Sequence, residues 1–98
     1  MGEIHKVGAD VSPPSCAYCP DPPYTKKART AKYSATCVVQ IIVNSLGDVV
    51  NVRVVKPVGL GLDENGVNTV RTWKFRPAIR EGVPVNVRML VEISFRIY

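Results

Sequence analysis

At 98 residues the chain has room for one domain built on one modest hydrophobic core. Hydrophobic residues make up 46% of it and charged residues 21%, with a mean hydropathy of +0.05, which excludes a disordered chain. No stretch approaches the roughly 20 apolar residues of a membrane-spanning helix and no signal-peptide pattern is present. The net charge of +5 comes from thirteen scattered Lys and Arg rather than from the basic, aromatic-studded stripe of a nucleic-acid binder.

Residues 1–23 hold five of the eight prolines and two of the three cysteines, with no sustained apolar period. They read as an extended leader with one short strand around Ile4 to Val7, preceding a folded domain over residues 24–98. Thr25 to Lys32 is a short helix candidate, with Thr25 as its N-cap and Ala28 and Ala31 as a small apolar face. Ala35 to Asn44 is a strand: Cys37, Val39, Ile41 and Val43 are all apolar, and the alternate positions are mixed, which suits a central place in a sheet. Asn44 to Asp48 forms a hairpin loop in which Gly47 is free to take positive φ. Val49 to Val58 returns as a second strand, with Val50, Val52 and Val54 on one side. After Gly59-Leu60-Gly61 a helix starts, with Asp63 as N-cap, Leu62 and Val67 as a hydrophobic staple, and Val67, Val70 and Trp73 facing inward. Gly66 is a weak point in its first turn.

Trp73 to Pro77 leaves this helix in extended form, since Pro77 forbids further helix. From Val85 to Ile97 every odd position is apolar, a period of two that selects strand over helix. A strand that rejoins a sheet through a helix runs parallel to the strand before that helix, so the first strand belongs in the centre, antiparallel to both. The expected architecture is α+β: two helices packed on one face of a three-stranded antiparallel sheet, in the order helix–strand–strand–helix–strand, with the last strand at the edge. An open edge presents unpaired N–H and C=O groups that an extended peptide can satisfy. The expected partner-binding residues are Val87, Arg88, Met89, Leu90, Val91, Glu92 and Ile93, acting through main chain. Arg88, Leu90 and Glu92 would set register from the open face; the other readings of this edge are that it serves dimerisation or is covered by the leader.

Several segments resemble the TonB C-terminal domain family: P-P-Y-T-K-K-A at Pro22 to Ala28, G-D-V at Gly47 to Val49, V-R-V-V at Val52 to Val55 and L-D-E at Leu62 to Glu64. The resemblance continues with V-R-T-W-K-F-R-P-A at Val70 to Ala78, G-V-P-V at Gly82 to Val85 and F-R at Phe95-Arg96. It runs from about Pro22 to Ile97, and the family's fold agrees with the order argued above. Thr25 stands where the family usually has proline, and Gly66 where it often has alanine. The resemblance implies the periplasmic domain of an energy transducer anchored in the inner membrane of a Gram-negative bacterium. Such a domain grips the box segment of outer-membrane receptors by β-strand addition, coupling proton motive force to the import of siderophores or other large solutes. An inner-membrane proton-driven motor complex would be engaged through a preceding region, for which Pro13-Pro14 and Pro20 to Pro23 would be the end of a stalk.

No Ser-His-Asp set, paired carboxylates or phosphate loop is visible, so neither an enzyme nor a cofactor is expected. Cys16 and Cys19 lie outside the family pattern. They form a local disulfide or two plain thiols, or bind metal with Cys37 and His5, or serve a redox role, although Pro20 to Pro23 denies Cys16 the following helix that activates a thioredoxin-type thiol. Cys37, on the apolar face of its strand, reads as a buried small hydrophobe. Tyr24, Trp73 and Phe75 read as packing residues, and Arg71, Arg76 and Arg80 as a solvated face or a steering surface for an acidic segment. The other readings of the whole chain are a self-associating module of the same fold, forming a homodimer, and a thiol- or metal-binding protein using Cys16 and Cys19.

Overall fold

The computed structural model describes residues 2–96. In chain order these form strands β1 (Ile4–Lys6) and β2 (Ser15–Tyr18), helix α1 (Lys26–Thr30), strands β3 (Ala35–Val43) and β4 (Val49–Lys56), helix α2 (Leu62–Val70), and strands β5 (Lys74–Arg76), β6 (Ala78–Arg80) and β7 (Val83–Phe95). Ile97, expected to close the last strand, lies outside the described residues.

β3 pairs antiparallel with β4 on one side and with β7 on the other. The three-stranded antiparallel sheet under two helices, with the last strand at its edge, is nevertheless not what forms. β1 adds to β7 in parallel, opposite β3, and β6 folds back antiparallel on the start of β7. The result is a mixed five-stranded sheet of order β1-β7-β3-β4, with β6 also on β7, and a separate two-stranded sheet of β2 and β5. Nearly half the described residues are strand, whereas α1 has 5 residues and α2 has 9. The cause is that the leader and the segment after α2, which lack alternation, use their backbones to satisfy neighbouring strands.

The odd residues of β3 and β7 make the core face. Cys37, Val39, Ile41, Val43 and Val87 are fully buried, Ile93 and Phe95 nearly so, and Ala28, Leu62 and Val70 from the helices join the same cluster. Each aliphatic or aromatic side chain so buried contributes about 1.5–3 kcal/mol. In β4 the expected stripe is interrupted. The register shifts between Ile42↔Asn51 and Val43↔Val49, leaving Val50 as the extra residue of a bulge, 43% exposed.

Thr25 caps α1: its hydroxyl oxygen accepts from the Ala28 N–H at 3.0 Å and donates to the Leu60 carbonyl at 2.7 Å, tying the helix to the loop before α2. Ala28 is buried, but Ala31 is the exposed C-cap and not part of an apolar face. Asp63 is not the N-cap of α2. That position falls to Gly61 in the left-handed region, with no side-chain cap, because both carboxylate oxygens of Asp63 are taken by the N–H groups of Val58 and Gly59, each at 2.8 Å.

Gly66 lies buried in α2 over the sheet. A Cβ there would sit 3.4 Å from Ile93 Cδ1 and 3.8 Å from Phe95 Cζ, ordinary contact distances. Gly66→Ala is therefore expected to stabilise the fold by about 0.5–1 kcal/mol through the lower entropy of the unfolded chain, read as a thermal midpoint several degrees higher. An unchanged or lower midpoint would mean that the helix cannot accept a methyl group against Ile93.

Burial, together with a hydrogen bond to and the charge of Asp63, pushes the Cys37 thiol up from 9.0 to about 11. Between these values the folded state keeps a proton that the unfolded chain has lost, so stability falls as pH rises from 9 toward 11, by no more than about 3 kcal/mol. Urea midpoints at neutral pH and near pH 10.5 should separate more in the native chain than in Cys37→Ala. Equal separations would show that the thiol is not held as described.

Candidate functional site

The two sides of β7 are engaged differently. Toward β3 it pairs from Val87↔Val43 to Phe95↔Ala35. Its first residues, Val83 to Val85, pair with β6, and on the side away from β3 Asn86 to Arg88 pairs with β1, in the register Ile4↔Asn86, His5↔Val87, Lys6↔Arg88. On that side, from Met89 to Phe95, no partner strand occurs among the described residues. The seven residues expected to bind a partner are thus divided: Val87 and Arg88 lie beside the leader strand, and Met89, Leu90, Val91, Glu92 and Ile93 lie on the uncovered length.

Alternation decides what each presents. Val87 and Ile93 are in the core, Met89 and Val91 are half-buried, and Arg88, Leu90 and Glu92 are exposed on the opposite face, Leu90 at 63%. A depression of about 440 Å³ lies at the Met89 end, lined by Lys6, Val7, Gln40, Arg88, Met89 and Leu90. At the Phe95 end a second, of about 420 Å³, is lined by Asp21, Pro22, Tyr24, Ser94, Phe95 and Arg96. The uncovered length is thus a strand edge with a depression near each end, and an open strand edge can accept an added strand.

Tyr24 packs edge-on against Phe95 with ring centres 5.8 Å apart and donates from its hydroxyl to the Tyr33 carbonyl at 3.0 Å. Trp73 stacks obliquely on Phe75 at 6.1 Å and donates from Nε1 to the Pro20 carbonyl at 2.9 Å. Of the arginines, Arg71 and Arg76 are exposed and Arg80 pairs with Asp10 at 3.2 Å. Cys16 and Cys19 are joined by a disulfide within and just after β2. Cys37 is buried, and among the described residues no three His, Cys, Asp or Glu side chains converge on a possible metal position.

Sequence reasoning missed β6 and did not specify where β1 would pair. The short Ile4 to Val7 strand was visible, but with β4 and the last strand both at free edges the sequence did not say which it would join. β6 gave no signal, since Pro77 closes the extended exit from α2 and Ala78 to Arg80 is too short to show alternation.

The chain belongs to the family described as the Gram-negative bacterial TonB protein C-terminal, whose model matches residues 20–97. It is 29% identical over 77 residues to Protein TonB of Vibrio cholerae serotype O1 (strain ATCC 39315 / El Tor Inaba N16961), an alignment covering 78% of this chain and 32% of that relative. The chain therefore spans about a third of the length of the relative it matches.

Proposed function

We propose that this chain is the periplasmic, receptor-engaging part of a TonB-like energy transducer, binding the box segment of outer-membrane receptors by strand addition along Met89 to Phe95. The observation that carries the reading is that, among the described residues, no strand pairs with the outer side of β7 over that length, with a depression near either end. Membership of the TonB C-terminal family supports the class of partner. In the longer protein this contact would pass force derived from the proton motive force to the receptor, coupling it to solute import. Each backbone hydrogen bond contributes about 1 kcal/mol net, so one guest strand binds modestly, while a pull along the strand axis loads all its bonds together.

The test is titration of a fluorescent peptide copying a receptor box segment, compared with two guests N-methylated at alternate residues in opposite phases. Methylation in one phase should abolish binding and in the other spare it, because only alternate N–H groups of a strand face its neighbour. Affinity should vary little with salt, and Lys27→Ala on α1 should leave it unchanged. Val91→Pro is a poor probe, since Val91 also pairs with Val39 inside the sheet. If both methylated guests bind as well as the parent, backbone pairing is not the mode of recognition.

A further inference from the structure

The leader lies almost wholly outside the length matched by the family, residues 20–97, yet it contributes a strand to the same edge. We propose that β1 is an internal competitor for the guest peptide: Asn86 to Arg88 pairs either with Ile4 to Lys6 or with a guest, and full engagement of the edge requires β1 to leave. This rests on the strand-addition reading above and concerns how that site is regulated and which guests it favours.

Three observations carry it. The first is that the edge already holds an extended chain, so it is competent for strand addition. The second is that β1 is short and partly exposed, and is separated from the leader's other attachments by an exposed stretch. It is held by its pairing and by the Asn86 side-chain amide, which donates to the Glu3 carbonyl at 3.3 Å. β1 has 3 residues, Ile4 and His5 only half-buried and Lys6 exposed, and residues 7–10 after it are exposed. Firm attachment begins at Val11, which is 3% exposed. Beside it the Ser12 N–H donates to the Ile79 carbonyl at 3.0 Å, and the Ile79 N–H to the Ser12 hydroxyl at 3.1 Å. Farther on, β2 pairs with β5, and the Cys16–Cys19 disulfide ties the second residue of β2 to the residue just past its end. Residues 2–7 can therefore peel away while the leader stays anchored, which keeps β1 at high effective concentration beside the edge.

The third observation is electrostatic. Lys6 stands directly opposite Arg88, and both line the depression at the start of the uncovered length. Like charges directly opposite on adjacent strands are unfavourable. A guest with an acidic side chain opposite Arg88 replaces that repulsion with attraction. The favoured guest is thus an extended peptide with a carboxylate at the end that displaces β1.

The test uses the full-length chain and two sets of substitutions confined to β1. Ile4→Pro combined with His5→Pro removes the N–H groups of both alternate phases and should release β1. Lys6→Glu should hold it more firmly against Arg88. With a fluorescent receptor-box peptide carrying one acidic residue, the double proline variant is expected to bind about three- to tenfold more tightly than the parent, and Lys6→Glu about two- to fivefold more weakly. Saturating the parent with peptide should also speed amide exchange at Ile4 to Lys6. Equal affinities in all three proteins, with peptide bound, would overturn the competition and leave strand addition standing. Absence of binding even in the double proline variant would overturn both.

Discussion

Gly47→Ala is expected to lower the stability of the fold by about 3 kcal/mol or more, enough to move a urea midpoint by over a molar unit. Two effects combine at this position. Gly47 has φ of +86°, a conformation that costs an alanine about 1 kcal/mol, and a Cβ there would overlap the carbonyl oxygen of Phe75. The turn cannot shift to relieve the overlap. The Phe75 N–H donates to the Gly47 carbonyl at 2.9 Å, the Gly47 N–H to Asn44 at 2.9 Å, and the Asn44 side chain accepts from Leu46 and Asp48. Gly82 is the control: its φ is +78° but nothing lies within 4 Å of an added Cβ, so Gly82→Ala should show the conformational cost alone. If the two substitutions destabilise equally, the close approach of β5 to this turn is wrong. Because β5 also carries β2, Gly47→Ala should loosen the leader's anchor as well.

Phe95→Ala is expected to destabilise by about 3–5 kcal/mol, a large share of the stability of a domain this size. Phe95 is 2% exposed, is packed edge-on by Tyr24 and lies beneath α2 at Gly66. Removing the ring leaves a cavity among strand, helix and leader that small shifts cannot close, because β7 is tied to β3 at Phe95↔Ala35. Phe95→Leu should recover more than half of the loss. Leu90→Ala, five residues away on the solvent face, should change stability by less than about 0.5 kcal/mol. Denaturant melts of the three variants check the order, and a mild Phe95→Ala phenotype would mean that the C-terminal end of β7 is not part of the core.

The parts of the fold legible in the sequence are those held by side-chain periodicity or one decisive residue. Valine, isoleucine and phenylalanine alternation in β3 and β7 specified both strands and their buried faces, since a slip of one residue would expose the whole set. Thr25 as a cap and Gly47 as the turn residue were legible because each answers a backbone requirement that few residue types meet. The remainder had no such signature. β1, β2, β5 and β6 have 3 or 4 residues each and carry no repeating pattern, and their pairing is decided by which backbone edges lie free nearby. The bulge at Val50 and the diversion of Asp63 from capping α2 to the Val58 and Gly59 amides likewise depend on tertiary neighbours. The candidate site reflects the same division: its strand and alternation were readable and a leader covering its edge was one reading, but the register that confines β1 to Asn86 to Arg88 was not.

Residue-resolved amide exchange of the full chain, with and without a receptor-box peptide, tests the central claim most directly. The account predicts new protection at alternate amides between Met89 and Phe95, with β4 unchanged. Protection appearing along Val49 to Lys56 or on the helical face, with Met89 to Phe95 unaffected, would contradict it.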